Sequence, residues 1–340
     1  MRKGLITGTT MALTLVGGPA LACGGLVGTN GTVNLGRTTT LAAYVDGVEH
    51  YITGFSFAGA GGEFGSIVPL PDVPTKVEKA GDWTLQRLQL EVAPPQREAV
   101  AFTAAGAQSL GVDVIFTAEV DSLDITVLRG GAAGVGKWAA DHGFGLSPDA
   151  PEVLDFYASR SPIFMAVSFN AARAADQGVA EGQTTPVHVT IPTDAPWVPL
   201  RILGLGKQAT ERVQADVFLL NERRPALLPL NRGLTVQRSE RASGFLLADL
   251  RSDARMDWLP KDGLWFSYLQ LDTPAGNLTY DLAVDPSGRY RPSRVDAGLD
   301  PVSLVGPPVG DGAPIMWAVA AVVGLLALGT IGSRRVGAWR

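Results

Sequence analysis

The sequence contains few of the residues that make covalent or metal chemistry easy to recognise. It has one cysteine, Cys23, and three histidines among 340 residues. A single cysteine excludes an intramolecular disulfide, even in a compartment that would allow one. His50, His142 and His188 each stand alone, and neither an H-x-x-x-H motif nor a cysteine-rich spacing predicts a zinc site. We therefore expect no metal and no cofactor.

Strong charge of one sign is also missing. The chain has 28 Lys and Arg against 33 Asp and Glu, which gives a net charge of -5 with the two signs interspersed. It lacks the basic stripe of a nucleic-acid binder, so we exclude nucleic acid as a partner. Hydrophobic residues make up 46% of the chain and charged residues 18%, so a packed core is expected.

Motifs for nucleotide binding and nucleophilic catalysis are absent or incomplete. The stretch Gly131–Lys137 matches the phosphate-binding pattern G-x-x-x-x-G-K, but Trp138 stands where a Mg²⁺-binding Ser or Thr belongs. We interpret Gly130–Gly136 as a flexible loop before a short helix at Lys137–His142, and we expect no nucleotide. Neither G-x-S-x-G nor S-x-x-K is present, although a Ser-His-Asp triad can be assembled from distant residues.

A long uncharged apolar stretch lies near the C-terminus. Residues 315–332 are enough to cross a bilayer core ~30 Å thick, so they predict a transmembrane helix. Arg334 and Arg335 follow it, and basic residues favour the cytoplasmic side. Residues 301–314 are then a Pro/Gly-rich linker, and residues 333–340 a basic cytoplasmic tail.

The N-terminus has the layout of a secretory signal peptide. Residues 1–22 begin with a basic pair, continue with a mildly apolar stretch and end in small residues. Cleavage between Ala22 and Cys23 would leave Cys23 at the mature N-terminus. We interpret Cys23 as a residue left beside the cleavage site; acylation of its thiol is the alternative, although that signal prefers Leu where Ala20 stands.

These two ends predict the location of the protein. Residues 23–300 would form an extracytoplasmic domain, held at the cell membrane by a single C-terminal span with its C-terminus in the cytoplasm. The globular part is long enough for one domain or for two sub-lobes.

Short alternating stretches predict β-structure in the globular part. Thr38–Val45 and Val48–Phe57 flank Asp46-Gly47, a strong hairpin signal because both turn positions need positive φ. Val112–Val120 and Leu123–Leu128 form a second hairpin pattern. Further strands are predicted at Ile163–Phe169, Val187–Ile191, Leu200–Leu205, Val213–Leu220, Leu264–Leu271 and Leu278–Val284.

Helices are predicted to be few and short. Asp82–Val92 has Asp82 as its expected N-cap, and a second helix runs from Ser147, with Pro148 at its first position, to about Ser159. The predicted fold class is therefore α+β and β-rich, with mostly antiparallel sheets, a few short helices and one C-terminal transmembrane helix.

Several segments together resemble a known family. The start Ala22-Cys23-Gly24, the hairpin Val114–Leu128, the run Trp138–Leu146, the strand Phe164–Phe169 and the segment Thr185–Ile202 occur in the family's order. The sequence thus resembles the bacterial domain-of-unknown-function 2330 family over most of residues 22–220. The resemblance implies a signal peptide plus membrane anchor of actinobacterial type. It implies no activity and no site residues.

Three tryptophans are the candidate binding residues. Trp197, Trp258 and Trp265 could line a groove for an envelope protein or glycan, although aromatic residues more often anchor a core or a loop. The anchor and the missing catalytic motifs favour a non-enzymatic binding domain of the cell envelope. The alternative is an envelope hydrolase or transferase whose site is scattered through the loops after Pro69 and Pro192.

Overall fold

The computed structural model describes the part of the chain in which the β-rich domain was predicted. The described residues are 25–28, 37–54, 64–93, 114–177 and 185–300. Cys23, the predicted signal peptide, the linker, the transmembrane helix and the tail lie outside these residues. Within the described ranges, no helix is both long enough and apolar enough to cross a membrane.

The described residues form fifteen strands and five α-helices. The strands are β1 (Gly25–Gly28), β2 (Thr38–Val45), β3 (Val48–Thr53), β4 (Phe64–Leu70), β5 (Lys76–Lys79), β6 (Val114–Val120), β7 (Leu123–Arg129), β8 (Ile163–Phe169), β9 (Val187–Pro192), β10 (Trp197–Val198), β11 (Arg212–Asn221), β12 (Ala226–Leu228), β13 (Leu234–Arg241), β14 (Trp265–Pro274) and β15 (Leu282–Asp285). The helices are α1 (Thr84–Val92), α2 (Ala132–Asp141), α3 (Ala150–Ala158), α4 (Ala171–Asp176) and α5 (Gly244–Ser252).

The strands are arranged in three sheets. A seven-stranded sheet has the order β13-β14-β11-β2-β3-β9-β5, a five-stranded sheet β1-β4-β8-β7-β6, and a three-stranded sheet β10-β15-β12. Neighbouring strands are antiparallel except for the parallel pair β11–β2. The prediction of a β-rich fold with mostly antiparallel sheets and few helices is confirmed for the described residues.

Both predicted hairpins form, and their turns explain why. Asp46 and Gly47 have φ values of 53° and 77°, the left-handed conformation that matches the twist of the strands on either side. Asp121, with a φ of 56°, makes the turn between β6 and β7. Asp reaches positive φ more readily than most residues do, so both turns can be recognised from the sequence.

The seven-stranded sheet is covered by apolar groups on both faces. Successive residues of β3 point in opposite directions, as a strand requires. Tyr51 packs into a cluster shared with the five-stranded sheet, α2 and α3, whereas Ile52 packs into a second cluster with α1 and α5. The two faces of this sheet therefore lie in separate environments.

Several predictions of local structure were wrong. The glycine-rich stretch is not a loop, because α2 begins at Ala132 and buries Val135 and Trp138 in the core; this packing offsets the cost of its glycines. Helix α3 begins at Ala150 rather than near Ser147. The predicted strand at residues 200–205 is instead a 3₁₀ turn over residues 201–204.

The N-terminus of α1 is capped by a distant residue rather than by Asp82. The Asp253 carboxylate accepts hydrogen bonds from the N–H groups of Asp82 and Trp83 and from the Thr84 hydroxyl. A Cβ at Gly81 would lie 2.2 Å from Asp253 Oδ2, so the contact needs a residue without a side chain. Acceptors at a helix N-terminus can therefore come from another part of the chain.

A buried carboxylate connects three segments of the larger core. Asp281 is fully buried and accepts hydrogen bonds from the Tyr157 hydroxyl at 2.7 Å and the Leu200 and Arg201 N–H groups at 2.7 and 3.0 Å. The Arg160 guanidinium pairs with its other oxygen at 2.5 Å. Burial, followed by the Asp281 charge, raises the pKa of Tyr157 well above its ordinary value, so the phenol remains a donor.

We expect Asp281→Asn to lower the free energy of unfolding by about 3–5 kcal/mol, because it leaves the buried Arg160 charge without its carboxylate partner. Urea denaturation of the full-length protein, followed by tryptophan fluorescence, measures this change. The matched control is Asp272→Asn, which breaks the exposed Arg212–Asp272 pair and should cost less than about 1 kcal/mol. Equal losses in the two variants would contradict the assignment.

Candidate functional site

Two histidines meet on one face of the seven-stranded sheet. His50 lies on β3 and His188 on the adjacent strand β9, where Ile52, two residues after His50, pairs with His188. Glu78 on β5, the next strand, pairs directly with His188. Because residues two apart on a strand share a face, these three side chains form a diagonal row across the strands. We call His50 and His188 the histidine pair.

The rings of the histidine pair are in direct contact. His50 Nδ1 lies 3.0 Å from His188 Nε2. The His50 ring also stacks on Trp258, with 3.7 Å between centroids and 2° between planes. On the far side, His188 Nδ1 lies 3.8 Å from Glu78 Oε1 and has no hydrogen-bond partner among the described residues. Stacking therefore fixes the His50 ring, and His188 Nδ1 is a buried ring nitrogen left for a further partner.

Both imidazoles of the pair are neutral near pH 7. Burial, and then the neighbouring His188, lowers the pKa of His50 to about 3. Burial, and then the Lys76 charge, lowers the pKa of His188 to about 4. A neutral imidazole has one donor and one acceptor nitrogen, so the two facing nitrogens can share one proton as a hydrogen bond.

The interpretation of His50 and His188 as isolated histidines was wrong. His50 and His188 are 138 positions apart and come together only because β3 and β9 pair. His142 is separate: its Nδ1 lies 2.8 Å from the Trp138 carbonyl oxygen, and its ring stacks on Trp138. Among the described residues, neither imidazole of the pair is hydrogen-bonded to a hydroxyl.

The three candidate tryptophans have different surroundings. Trp258 belongs to the histidine pair's environment, as described above. Trp197 is buried at 3% exposure and packs against the Tyr157 ring and the Arg160 guanidinium, so it is a core residue rather than part of an exposed groove. Trp265, at the start of β14, is partly exposed and donates a hydrogen bond from Nε1 to Ser239 Oγ at 2.9 Å.

A small cleft opens between α3 and the last described segment of the chain. Its volume is about 170 Å³, and its lining residues are Phe156, Ser159, Arg160, Arg201, Gly298, Leu299 and Asp300. We call it the arginine cleft. Sequence reasoning missed it because its walls come from three segments of the chain, none of which contains a recognisable motif.

The two arginines of the cleft differ in how they are held. Their guanidinium carbons lie 4.1 Å (Arg160) and 4.2 Å (Arg201) from the centroid of the Phe156 ring. Arg160 is committed to Asp281 and to main-chain carbonyl oxygens. Arg201 pairs through Nη2 with Glu152, whose side chain is 79% exposed. Arg201 is therefore the cation that can exchange its partner for an incoming acidic group.

Glu49 precedes His50 and points to the opposite face of β3. It is buried, and neither carboxyl oxygen has a hydrogen-bond partner among the described residues. Burial raises the pKa of Glu49 to about 8, so it carries a proton at neutral pH. It lines a cavity of about 10 Å³ together with Asn221, whose Oδ1 also has no partner within the described part of the chain; this is room for about one water molecule.

The chain belongs to the DUF2330 family, described as uncharacterized protein conserved in bacteria, whose model matches residues 18–232. The match confirms the resemblance seen in the sequence and includes both members of the histidine pair. Among curated proteins, none matches the chain. Among solved structures, the crystal structure of baculovirus P35 is similar with a TM-score of 0.41 and 8% identity, covering 75% of this chain and 97% of that chain.

We expect Glu49→Gln to remove one component of the pH dependence of stability. Folding raises the pKa of Glu49 from 4.5 to about 8. The contribution of this shift to the free energy of unfolding is therefore fully present below about pH 4.5 and is lost as the pH rises through about 8. Relative to the wild type, the variant should therefore gain stability progressively between pH 5 and pH 9.

Urea denaturation of both proteins across this range measures the difference in their free energies of unfolding. Both proteins contain the same histidines, so the histidine contributions to the pH dependence cancel in this difference. A difference that does not change with pH would show that Glu49 is already ionised in the folded protein.

Proposed function

We propose that this chain is a membrane-anchored extracytoplasmic protein of the bacterial cell envelope, and that its globular part is a non-enzymatic binding domain. The arginine cleft is the observation that carries the binding role. The predicted signal peptide at residues 1–22 and the predicted span at residues 315–332 support the location. The partner we propose is an envelope protein that presents an acidic side chain to the cleft.

The size of the cleft favours a large partner over a small substrate. Sites for complete small molecules usually have volumes of ~300–1,000 Å³. A cleft of about 170 Å³ has room for a side chain or another end group, with the rest of the partner outside it. Such a site suits the anchoring contact of a protein interface, where one inserted group contributes much of the binding energy.

The chemistry of the cleft favours an acidic group. The Arg201 guanidinium is planar and carries donors in a fixed fork that matches a carboxylate. Its position against Phe156 limits its movement, which lowers the entropy lost on binding. Two arginines already contact the Phe156 ring, so the ring is less suited to stack on a sugar.

An envelope hydrolase or transferase is the alternative. The neutral histidine pair is the observation that favours it, because a neutral imidazole can act as a general base. Among the described residues, no hydroxyl is hydrogen-bonded to either ring, so a reaction in which these residues alone supply the base would activate a water molecule or a group of the substrate. We therefore favour binding over catalysis.

We expect a photo-crosslinking residue at Ser159, which lines the cleft, to capture a specific envelope protein in living cells that express the full-length chain. Arg201→Gln should reduce that product at least about tenfold, because a hydrogen bond to a charged group contributes ~1.5–3 kcal/mol. The capture is measured by gel shift and mass spectrometry of the product.

Two controls separate the cleft from the surface in general. Arg212→Gln removes an exposed arginine that is also paired with a carboxylate, and should leave the product unchanged. A crosslinker at Gln237, on the exposed edge strand β13, should not capture the same protein. Adducts of glycan or lipid alone, or equal loss in both arginine variants, would argue against a protein partner at the cleft.

A further inference from the structure

We infer that the histidine pair is a binding site for one divalent transition-metal ion, and that copper(II) is the ion whose geometry fits it best. This site is separate from the one in the proposed function. The histidine pair lies on the face of the seven-stranded sheet that packs against α1 and α5, whereas Trp197, which contacts Arg160 of the arginine cleft, belongs to the apolar cluster on the other face. It depends on the position of two rings, on the group behind one of them and on the ligand chemistry of imidazole.

The distance between the rings is that of two ligands of one ion. Copper and zinc hold imidazole nitrogens at about 2.0–2.1 Å. Two such nitrogens are about 2.9 Å apart when the angle at the metal is about 90°, and about 3.3 Å apart at the tetrahedral angle. The observed 3.0 Å between His50 Nδ1 and His188 Nε2 is closer to the first value, which belongs to the tetragonal geometry of copper(II).

The environment of His188 resembles that of a metal ligand. A metal-bound histidine usually presents its second ring nitrogen to a carboxylate or carbonyl group, which orients the ring. His188 directs Nε2 to His50 and Nδ1 towards Glu78 Oε1, 3.8 Å away, and this buried Nδ1 has no other partner among the described residues. Glu78 Oε1 also pairs with Lys76 Nζ at 2.8 Å, and a small movement of the carboxylate would add the hydrogen bond to His188 that such a ligand needs.

The second ring is positioned without any help from a metal. His50 is half-buried and stacks on Trp258, whose plane is tilted by only 2° from the imidazole plane. Both rings are thus held close to their binding positions before an ion arrives, which lowers the entropic cost of binding. The partial exposure of His50 leaves a route from solvent.

The rest of the coordination shell would come from outside this pair. The described residues contain no group of three or more His, Cys, Asp or Glu side chains that could hold a metal ion. Water or a ligand from a partner would fill the remaining positions, as at open metal sites. Two protein ligands predict an exchangeable ion rather than a permanent structural one. The competing explanation is a simple imidazole–imidazole hydrogen bond, and it predicts no metal affinity.

Copper(II) titration of the purified full-length protein tests the site. We expect calorimetry to give one ion per chain, and we expect the bound ion to quench Trp258 fluorescence because this ring stacks on a ligand. His50→Asn should weaken binding at least about tenfold. His142→Asn, which removes the histidine outside the pair, should bind as the wild type does. Trp258→Phe should keep the affinity but lose most of the quenching.

His188 is buried, so His188→Asn could fail to fold; the half-exposed His50 and Glu78 therefore carry the test. Glu78→Gln should weaken binding by about tenfold while circular dichroism stays that of the wild type. Failure of the wild type to bind copper(II), or unchanged affinity in folded His50→Asn, would overturn the inference and leave the hydrogen-bonded pair. These outcomes do not depend on whether the arginine cleft binds a protein.

Discussion

The buried charge of Asp281 is the constraint on which the larger core depends. An ionised carboxylate without partners would be too costly to bury, so its position requires that its donors be present together. Tyr157 supplies a side-chain donor from α3 and Arg160 supplies one from just beyond its end, whereas Leu200 and Arg201 supply main-chain donors from the start of the 3₁₀ turn. One carboxylate thus fixes both arginines of the cleft, Arg160 by its side chain and Arg201 through its backbone.

The seven-stranded sheet separates two kinds of chemistry that are adjacent in the sequence. Glu49 and His50 are neighbours, yet they point to opposite faces of β3, on which different apolar clusters pack. Burial raises the pKa of Glu49 to about 8 and lowers that of His50 to about 3. Both shifts have the same cause, because a low-dielectric interior disfavours the charged form of either group. At neutral pH both groups are therefore uncharged, because the Glu49 carboxyl group keeps its proton and the His50 imidazole does not take up a second one.

Sequence reasoning succeeded where short-range physics decides the structure. The turn at Asp46-Gly47 and the strand Ile163–Phe169 were predicted correctly, because a turn residue suited to positive φ and a short continuous apolar stretch are local properties of the sequence. It failed at α2, where burial of Trp138 offsets the cost of placing glycines in a helix. It also failed at the N-terminus of α1, which is capped by Asp253 rather than by Asp82. Each failure occurs where a contact distant in the sequence overrides a local preference.

The amino-acid sequence by itself determined the family, the β-rich fold class, the hairpins and the prediction of an anchored extracytoplasmic protein, because composition, periodicity and turn residues encode these properties locally. Only the tertiary structure decided which chemistry is present. The histidine pair joins residues 138 positions apart, and Arg160 pairs with a carboxylate 121 positions away. Contacts between strands and helices brought together by folding have no signature in one sequence, so both candidate sites became visible only in three dimensions.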